Sequence, residues 1–177
     1  HGRIPITRTR SLAIPSYEAL FSLVRTVAHL NGPLPKNRAA ARAAIAQALC
    51  AGSSVIAVPS LADPRGFSFV VDNGDGSPLG PGATVRFSPQ TRLHVGGPMP
   101  PGTRLLLLES GRQVAVAHDA MEFKVAQPGI YRVEAYVPGE ATPWVLSNPI
   151  SVLTEEMETS RRLAGQRRFY DWTFPLE

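Results

Sequence analysis

Cysteine is nearly absent from this sequence, because Cys50 is the only one among 177 residues. A single cysteine excludes an internal disulfide and a cysteine-based metal cluster, so packing alone must hold the core together. Cys50 ends an alanine-rich stretch, and we expect it to behave as a small hydrophobic residue. This composition is compatible with a reducing compartment, and a cytoplasmic location is slightly favoured over export.

Long apolar runs and blocks of like charge are also missing. No stretch is apolar for long enough to cross a bilayer, so no membrane partner is expected. Only 18% of the residues are charged, and the net charge of +4 comes from scattered arginines. Nucleic acid is therefore not a favoured partner. The chain starts at His1 without an initiator methionine, which indicates a fragment, a processed form or an excised piece.

Motifs for chemistry are scarce. The four histidines, His1, His29, His94 and His118, show neither the His-x-His nor the i,i+4 spacing of a preformed metal site. The run Asp72–Asp75 has the composition of a calcium loop but not its twelve-residue spacing, so a plain turn is predicted. There is no G-x-S-x-G elbow and no glycine-rich phosphate loop before a helix. On its residues alone, the chain holds no self-contained catalytic site.

Glycine and proline are abundant, with 15 and 17 copies, and they punctuate short stretches of strand-forming residues. A short apolar run lies at residues 54–58, and strands are expected at residues 66–71, 83–87, 91–95, 103–109, 113–117, 121–125, 130–137, 144–146 and 150–152. Short strands at this spacing predict an antiparallel, immunoglobulin-like β-sandwich of about seven to nine strands. Alternation along these strands predicts a core that includes Phe67, Phe69, Leu105, Leu107, Phe123, Tyr131, Val133 and Trp144.

Helices are predicted at both ends of the chain. Ser16 and Asn37 are helix caps, and they predict helices over 16–30 and 37–51, the second ended by Gly52. A third helix is predicted over 154–165, followed by a basic, aromatic tail. These patterns divide the chain into 1–52, a sandwich over 53–153 and a tail over 154–177.

Several segments together resemble a known family. They are "PSYEALF", "AAIAQALCAGSSVIAV" running into "LADPRGFSFVV", "TRLLLLESGRQVAV" and the closing "PGIYRVEAYV…PWVLSNPISV". In this order they are similar to the C-terminal region of bacterial PHP-domain metal-dependent phosphoesterases. In that family a metal-binding (β/α) barrel precedes a β-sandwich that ends in a W-x-x-SNPI-x-V segment. The closing segment is the most specific part, and the resemblance covers residues 15–152.

The resemblance implies a function that belongs to a longer protein. The helices over 16–30 and 37–51 would be the last elements of the barrel, and His1 would be the metal-binding histidine of the family's D-x-H motif. The parent would bind divalent manganese, zinc or iron and would hydrolyse a phosphate ester, with the preceding barrel as this chain's partner. The remaining ligands of the barrel do not match anything here, so we expect this chain alone to bind no metal and to have no activity.

Two other functions stay open at this point. The sandwich could be a non-catalytic module that binds carbohydrate or protein through its loops, or it could be a purely structural domain. Exposed aromatic side chains would favour a binding module, and only Tyr136 and Trp144 are candidates, with Trp144 expected in the core. The apolar faces of the two N-terminal helices must be covered by something, which predicts a possible homodimer.

Overall fold

A computed structural model describes residues 3–5, 11–13, 23–74 and 76–170, with side chains in 23–74 and 76–164. The strands are β1 Arg3–Pro5, β2 Ser11–Ala13, β3 Arg25–Ala28, β4 Ser54–Ala57, β5 Ser68–Asp72, β6 Thr84–Arg86, β7 Arg92–Gly96, β8 Arg104–Glu109, β9 Arg112–His118, β10 Met121–Lys124, β11 Gly129–Tyr136, β12 Val145–Ser147 and β13 Ile150–Leu153. The helices are α1 Arg38–Cys50 and α2 Glu155–Tyr170. The chain is therefore mostly β, as the sequence predicts.

Two sheets form the sandwich, and β11 is the centre of the larger one. A three-stranded sheet has the order β10-β7-β5. In the eight-stranded sheet, β11 pairs with β8 on one side and with both β12 and β13 on the other. The strands β4 and β3 extend the sheet beyond β12, and β6 extends it beyond β13. These sheets contain more strands than the seven to nine expected, because the segment before residue 58 adds two.

The strand pairing differs from the expectation in one place. All pairs in both sheets are antiparallel except β13 with β6, which is parallel. The chain goes from β5 in the small sheet to β6 in the large one and back to β7. This switch of sheets brings β6 beside β13 in the parallel direction, which local turn patterns do not encode.

The predicted helix over 16–30 is wrong in its second half. Residues 25–28 form β3, which pairs with β4 in register from Arg25 opposite Ala57 to Ala28 opposite Ser54. The apolar residues of this segment are spaced as in a helix, so the sequence pattern did not predict this strand pairing. Thr26 and Val27 are β-branched and suit a strand, and the edge of β4 offers backbone partners that outweigh a weak helical preference. Residues 16–22 lie outside the described residues.

The second predicted helix is confirmed as α1. The Asn37 side chain accepts hydrogen bonds from the backbone N–H groups of Ala39 and Ala40, at 3.0 and 3.1 Å. Gly52 follows the helix at a φ of +70°, a conformation that glycine adopts without strain. Only Ala48 is buried along α1, and Ile45 and Leu49 are exposed, so most of the predicted apolar face is uncovered by the described residues.

The core lies between the sheets and matches the sequence closely. Of the predicted core residues, all but Phe123 are buried, and Trp144, Leu105, Leu107 and Val133 have no exposed surface. Phe123 is only half-buried because β10 is an edge strand that pairs with β7 alone. The Trp144 indole meets the Phe67 ring edge-on at a centroid distance of 5.9 Å. The prediction that Trp144 belongs to the core is therefore confirmed.

Candidate functional site

The histidines with described side chains lie on separate elements. His29 follows β3, His94 is on β7 and His118 ends β9. Among the described residues, no three histidine, cysteine, aspartate or glutamate side chains come together as metal ligands. His1, the ligand implied by the family resemblance, lies outside these residues, so its role stays a prediction.

A cleft of about 290 Å³ lies between α1 and the segment that leaves β3. His29, Asn31, Gln47 and Ser53 contribute its polar side chains. Burial lowers the pKa of the His29 imidazole, because the charged form is poorly solvated there. The Ser53 hydroxyl donates to the backbone carbonyl of His29 at 3.0 Å. The hydroxyl proton of Ser53 is therefore directed to the backbone carbonyl. A serine nucleophile would instead need to donate that proton to the imidazole.

A larger groove of about 510 Å³ lies between β6, the end of β13 and α2. Arg86 forms an ion pair with Glu155 at 3.1 Å, and Arg161 donates to the Ser151 hydroxyl at 2.7 Å. Both side chains of the Arg86–Glu155 pair are largely exposed. These contacts hold the start of α2 over the outer face of the sheet, so the groove has a structural role without needing a ligand.

Two other candidates have simple structural explanations. The Asp72 carboxylate accepts a hydrogen bond from the Gly74 N–H at 2.8 Å, which is the turn that the sequence predicts. Cys50, the small hydrophobic residue that the sequence predicts, is exposed at the end of α1. It falls on the side of α1 that no described residue covers.

The closing segment 144–150, on which the family resemblance mainly rests, makes several hydrogen bonds to distant parts of the described chain. The Trp144 indole N–H donates to the Ala62 carbonyl at 2.8 Å, and the Trp144 carbonyl accepts from the Val58 N–H at 2.9 Å. These bonds fix the loop that follows β4 against the core. The tryptophan therefore links two parts of the chain that are 82 residues apart.

The side chains of Ser147 and Asn148 form hydrogen bonds with backbone groups at the point where Pro149 interrupts the sheet. Pro149 has no N–H to donate, so the ladder between β11 and its neighbour cannot run on through this point. Near this point the Val133 N–H donates to the buried Ser147 hydroxyl at 2.8 Å, so a side-chain oxygen supplies the acceptor that a partner-strand carbonyl would otherwise provide. The strand is thereby divided into β12 and β13, which pair with different neighbours.

Asn148 connects this point to the end of α1. Its side-chain amide donates to the Gly52 carbonyl at 3.0 Å and to the Ser54 hydroxyl at 2.9 Å. The Asn148 N–H donates to the Ser54 carbonyl, and the Pro149 carbonyl accepts from the Gly82 N–H. The Cα of Gly82 lies 3.4 Å from a Cβ built on Gly52, so the two turns touch. One asparagine thus ties the helix end to the centre of the sandwich.

The sequence pattern located this segment but not its role. Asn-Pro between two short strands predicts a break in the ladder, and the break is present. The pattern could not show that Asn148 reaches residues 52 and 54, because that contact spans nearly a hundred positions. Polar residues at a strand break inside a sheet indicate that hydrogen-bond partners for their side chains lie elsewhere in the fold.

No family model, curated protein or solved structure matches this chain. Among the described residues, no helix combines the length and the apolar character that a membrane crossing requires.

Proposed function

We propose that this chain is the accessory β-sandwich of a metal-dependent hydrolase of the PHP phosphoesterase type, and that it has no complete active site of its own. The observation that carries the proposal is the closing segment. Its Trp144 and Ser147 side chains make hydrogen bonds within the sandwich, and its Asn148 side chain connects the end of α1 to the sandwich. A domain that must hold a preceding catalytic unit in one orientation needs such a junction.

The N-terminal part of the chain supports the same proposal. The strand β3 lies in the sandwich sheet, and α1 joins it to β4. In the parent protein, β3 and α1 would lie where the barrel ends and the sandwich begins. The exposed side chains of Leu23, Val24 and Leu49, between 46% and 54% exposed, would then face the barrel. Apolar surface of this kind on a domain favours contact with a neighbour.

The sandwich is proposed to be of the immunoglobulin-like type. One sheet contains β5, β7 and β10, and the other contains β9, β8, β11 and the β12–β13 pair. This distribution of strands suits the immunoglobulin-like topology. The Tyr131 hydroxyl at the start of β11 donates to the Gln127 carbonyl at 2.7 Å, four residues upstream. This contact is similar to the tyrosine corner of such sandwiches and supports the proposal. The parallel pairing of β6 with β13, where the chain switches between sheets, also supports this type.

The chemistry of the parent would come from the barrel. Divalent manganese, zinc or iron would there activate water for attack on a phosphate ester. His1 is the residue of this chain that we propose as a ligand. A catalytic metal needs three or more protein ligands, so this chain could contribute only part of such a site.

The test compares two proteins. The first is residues 1–177, and the second extends the same reading frame upstream of His1. Both are assayed with p-nitrophenyl phosphate and bis-p-nitrophenyl phosphate, with Mn²⁺, Zn²⁺ or Fe²⁺ and with chelator. We expect metal-dependent hydrolysis by the extended protein alone, lost in a His1→Ala variant. Hydrolysis by residues 1–177, or an extended protein that lacks a metal-binding barrel, would overturn the proposal.

The alternative function, a carbohydrate- or protein-binding module, receives less support from the described residues. Trp144 is buried, and the Tyr136 ring is covered by the Arg104 guanidinium, which lies 4.9 Å from its centroid. Neither side chain offers a free aromatic face for a sugar. Binding of the isolated chain to a glycan array would move this alternative ahead.

A further inference from the structure

Two Asn-Gly pairs lie between regular elements of the described chain. Asn31-Gly32 follows β3, and Asn73-Gly74 follows β5. Asparagine before glycine is chemically unstable, because the glycine nitrogen can approach the side-chain carbonyl carbon without hindrance from a Cβ. The nitrogen forms a bond to that carbon, the bond to the amide nitrogen breaks, and ammonia leaves with the glycine proton. Water then opens the cyclic imide and leaves aspartate or isoaspartate.

The fold holds the pair after β5 in place. The Asn73 side-chain oxygen accepts hydrogen bonds from the hydroxyls of Thr91 and Ser88, and Thr91 has no exposed surface. The Gly74 N–H donates to the Asp72 carboxylate at 2.8 Å, which favours the protonated form of that nitrogen. Ring closure at Asn73 therefore requires its side chain to leave these donors and the Gly74 nitrogen to lose its proton beside a negative charge.

The pair after β3 has different surroundings. Asn31 and Gly32 are both exposed. No described backbone carbonyl accepts a hydrogen bond from the Gly32 N–H. A Cβ built on Gly32 would meet no atom within 4 Å, whereas one built on Gly74 would lie 2.9 Å from the Gln90 side-chain oxygen. Space is therefore available for the Asn31 side chain to turn toward the Gly32 nitrogen.

We propose that Asn31 is a site of spontaneous deamidation in the folded protein and that the fold protects Asn73 from the same reaction. Both sites have the same dipeptide, so the difference in reactivity comes from their surroundings. Reaction at Asn73 requires local opening of its loop, whereas Asn31 reacts in the native state. The product is a carboxylate in the connection between β3 and α1, and the isoaspartate form also adds a carbon atom to the backbone there.

The new carboxylate changes the electrostatics of the cleft between α1 and the segment that leaves β3. Asn31 and His29 both line this cleft, and none of its other lining residues has an ionisable side chain. A carboxylate at position 31 would therefore be the first fixed charge in the lining. It would favour the imidazolium form of His29, which burial disfavours. Deamidation of Asn31 should thus raise the pKa of His29.

The experiment incubates residues 1–177 in the folded state for several days at mildly alkaline pH. Peptide mapping by mass spectrometry locates the converted asparagines, and an isoaspartate-specific methyltransferase labels the isoaspartate product. We expect Asn31 to be converted at least about tenfold faster than Asn73, since only Asn73 depends on local opening. In guanidinium chloride, where the fold is lost, the two sites should react at similar rates. Equal conversion of both sites in the folded chain, or faster conversion of Asn73, would overturn the proposal.

Two variants separate the reaction from its consequence. Gly32→Ala adds a methyl group that meets no neighbour, so thermal unfolding should stay near the native value, while most of the conversion at Asn31 should be lost and Asn73 should be unaffected. Conversion of Asn31 at the native rate in this variant would contradict the proposed attack by the Gly32 nitrogen. Asn31→Asp supplies the product carboxylate directly, and a proton NMR titration should show a higher His29 pKa than in the native chain. An unchanged titration would overturn the proposed effect on the cleft.

Discussion

At the scale of the residue, Asn148 is the side chain on which the junction depends most. Replacing it by alanine removes both amide hydrogen bonds and leaves the Gly52 carbonyl and the Ser54 hydroxyl without that donor. We expect Asn148→Ala to lower the free energy of unfolding by about 1–3 kcal/mol. Urea denaturation measures this. Asn31→Ala, at an exposed position, should change it by less than about 0.5 kcal/mol. Equal effects at both positions would show that Asn148 does not hold the junction.

His29 gives stability a dependence on pH. Its folded pKa lies below the ordinary value of 6.5 because burial disfavours the imidazolium ion. The unfolded chain therefore binds a proton more readily than the folded chain does. Stability should be complete above pH 6.5 and should fall as the pH drops from there through the lowered pKa of the folded state.

Denaturant unfolding between pH 8 and pH 5 checks this expectation. The comparison is between the native chain and His29→Gln, which cannot take up the proton and should lose less stability on acidification. His118→Gln, at an exposed position, serves as the control and should follow the native chain. A His29→Gln profile parallel to that of the native chain would mean that the cleft does not disfavour the charged imidazole.

At the scale of the element, β11 has buried and exposed side chains that should contribute differently to the free energy of unfolding. Val133 is fully buried at the centre of the sheet, whereas Ile130 on the same strand is 40% exposed. Val133→Ala should cost about 2 kcal/mol of unfolding free energy, from lost burial and the cavity left behind. Ile130→Ala removes more atoms but should cost less, because much of that side chain is already in water. The reverse order in thermal or urea unfolding would place β11 in the wrong register.

The element scale also shows where local patterns stop being sufficient. The strands after residue 53 and helix α1 were predictable, because alternation, turns and caps act between neighbours in the chain. The strand β3 was not, because its conformation depends on β4, which comes 26 residues later and supplies the backbone partners. Phe123 was expected in the core for its alternation alone, and the edge position of β10 decided otherwise.

At the scale of the whole molecule, two truncated fragments test whether residue 52 is a boundary between two folding units. Residues 53–177 would lack β3, so the edge of β4 would lose its partner. We expect this fragment to melt at a lower temperature than residues 23–177, and to associate more readily, since unpaired edges template contact with other chains. Equal melting temperatures in differential scanning calorimetry would show that the sandwich ends at β4 and that the boundary is real.

The sequence by itself determined the mostly β class, the positions of the sandwich strands, helix α1 and the burial of Trp144, because periodicity, glycine and proline turns and a helix cap all act over a few residues. It also pointed to residues 144–152 as the specific segment. Tertiary structure alone decided that residues 25–28 are a strand and that β6 runs parallel to β13. It also decided that Asn148 reaches the end of α1. Each of these depends on residues far apart in the chain, where only the closed fold fixes which groups meet.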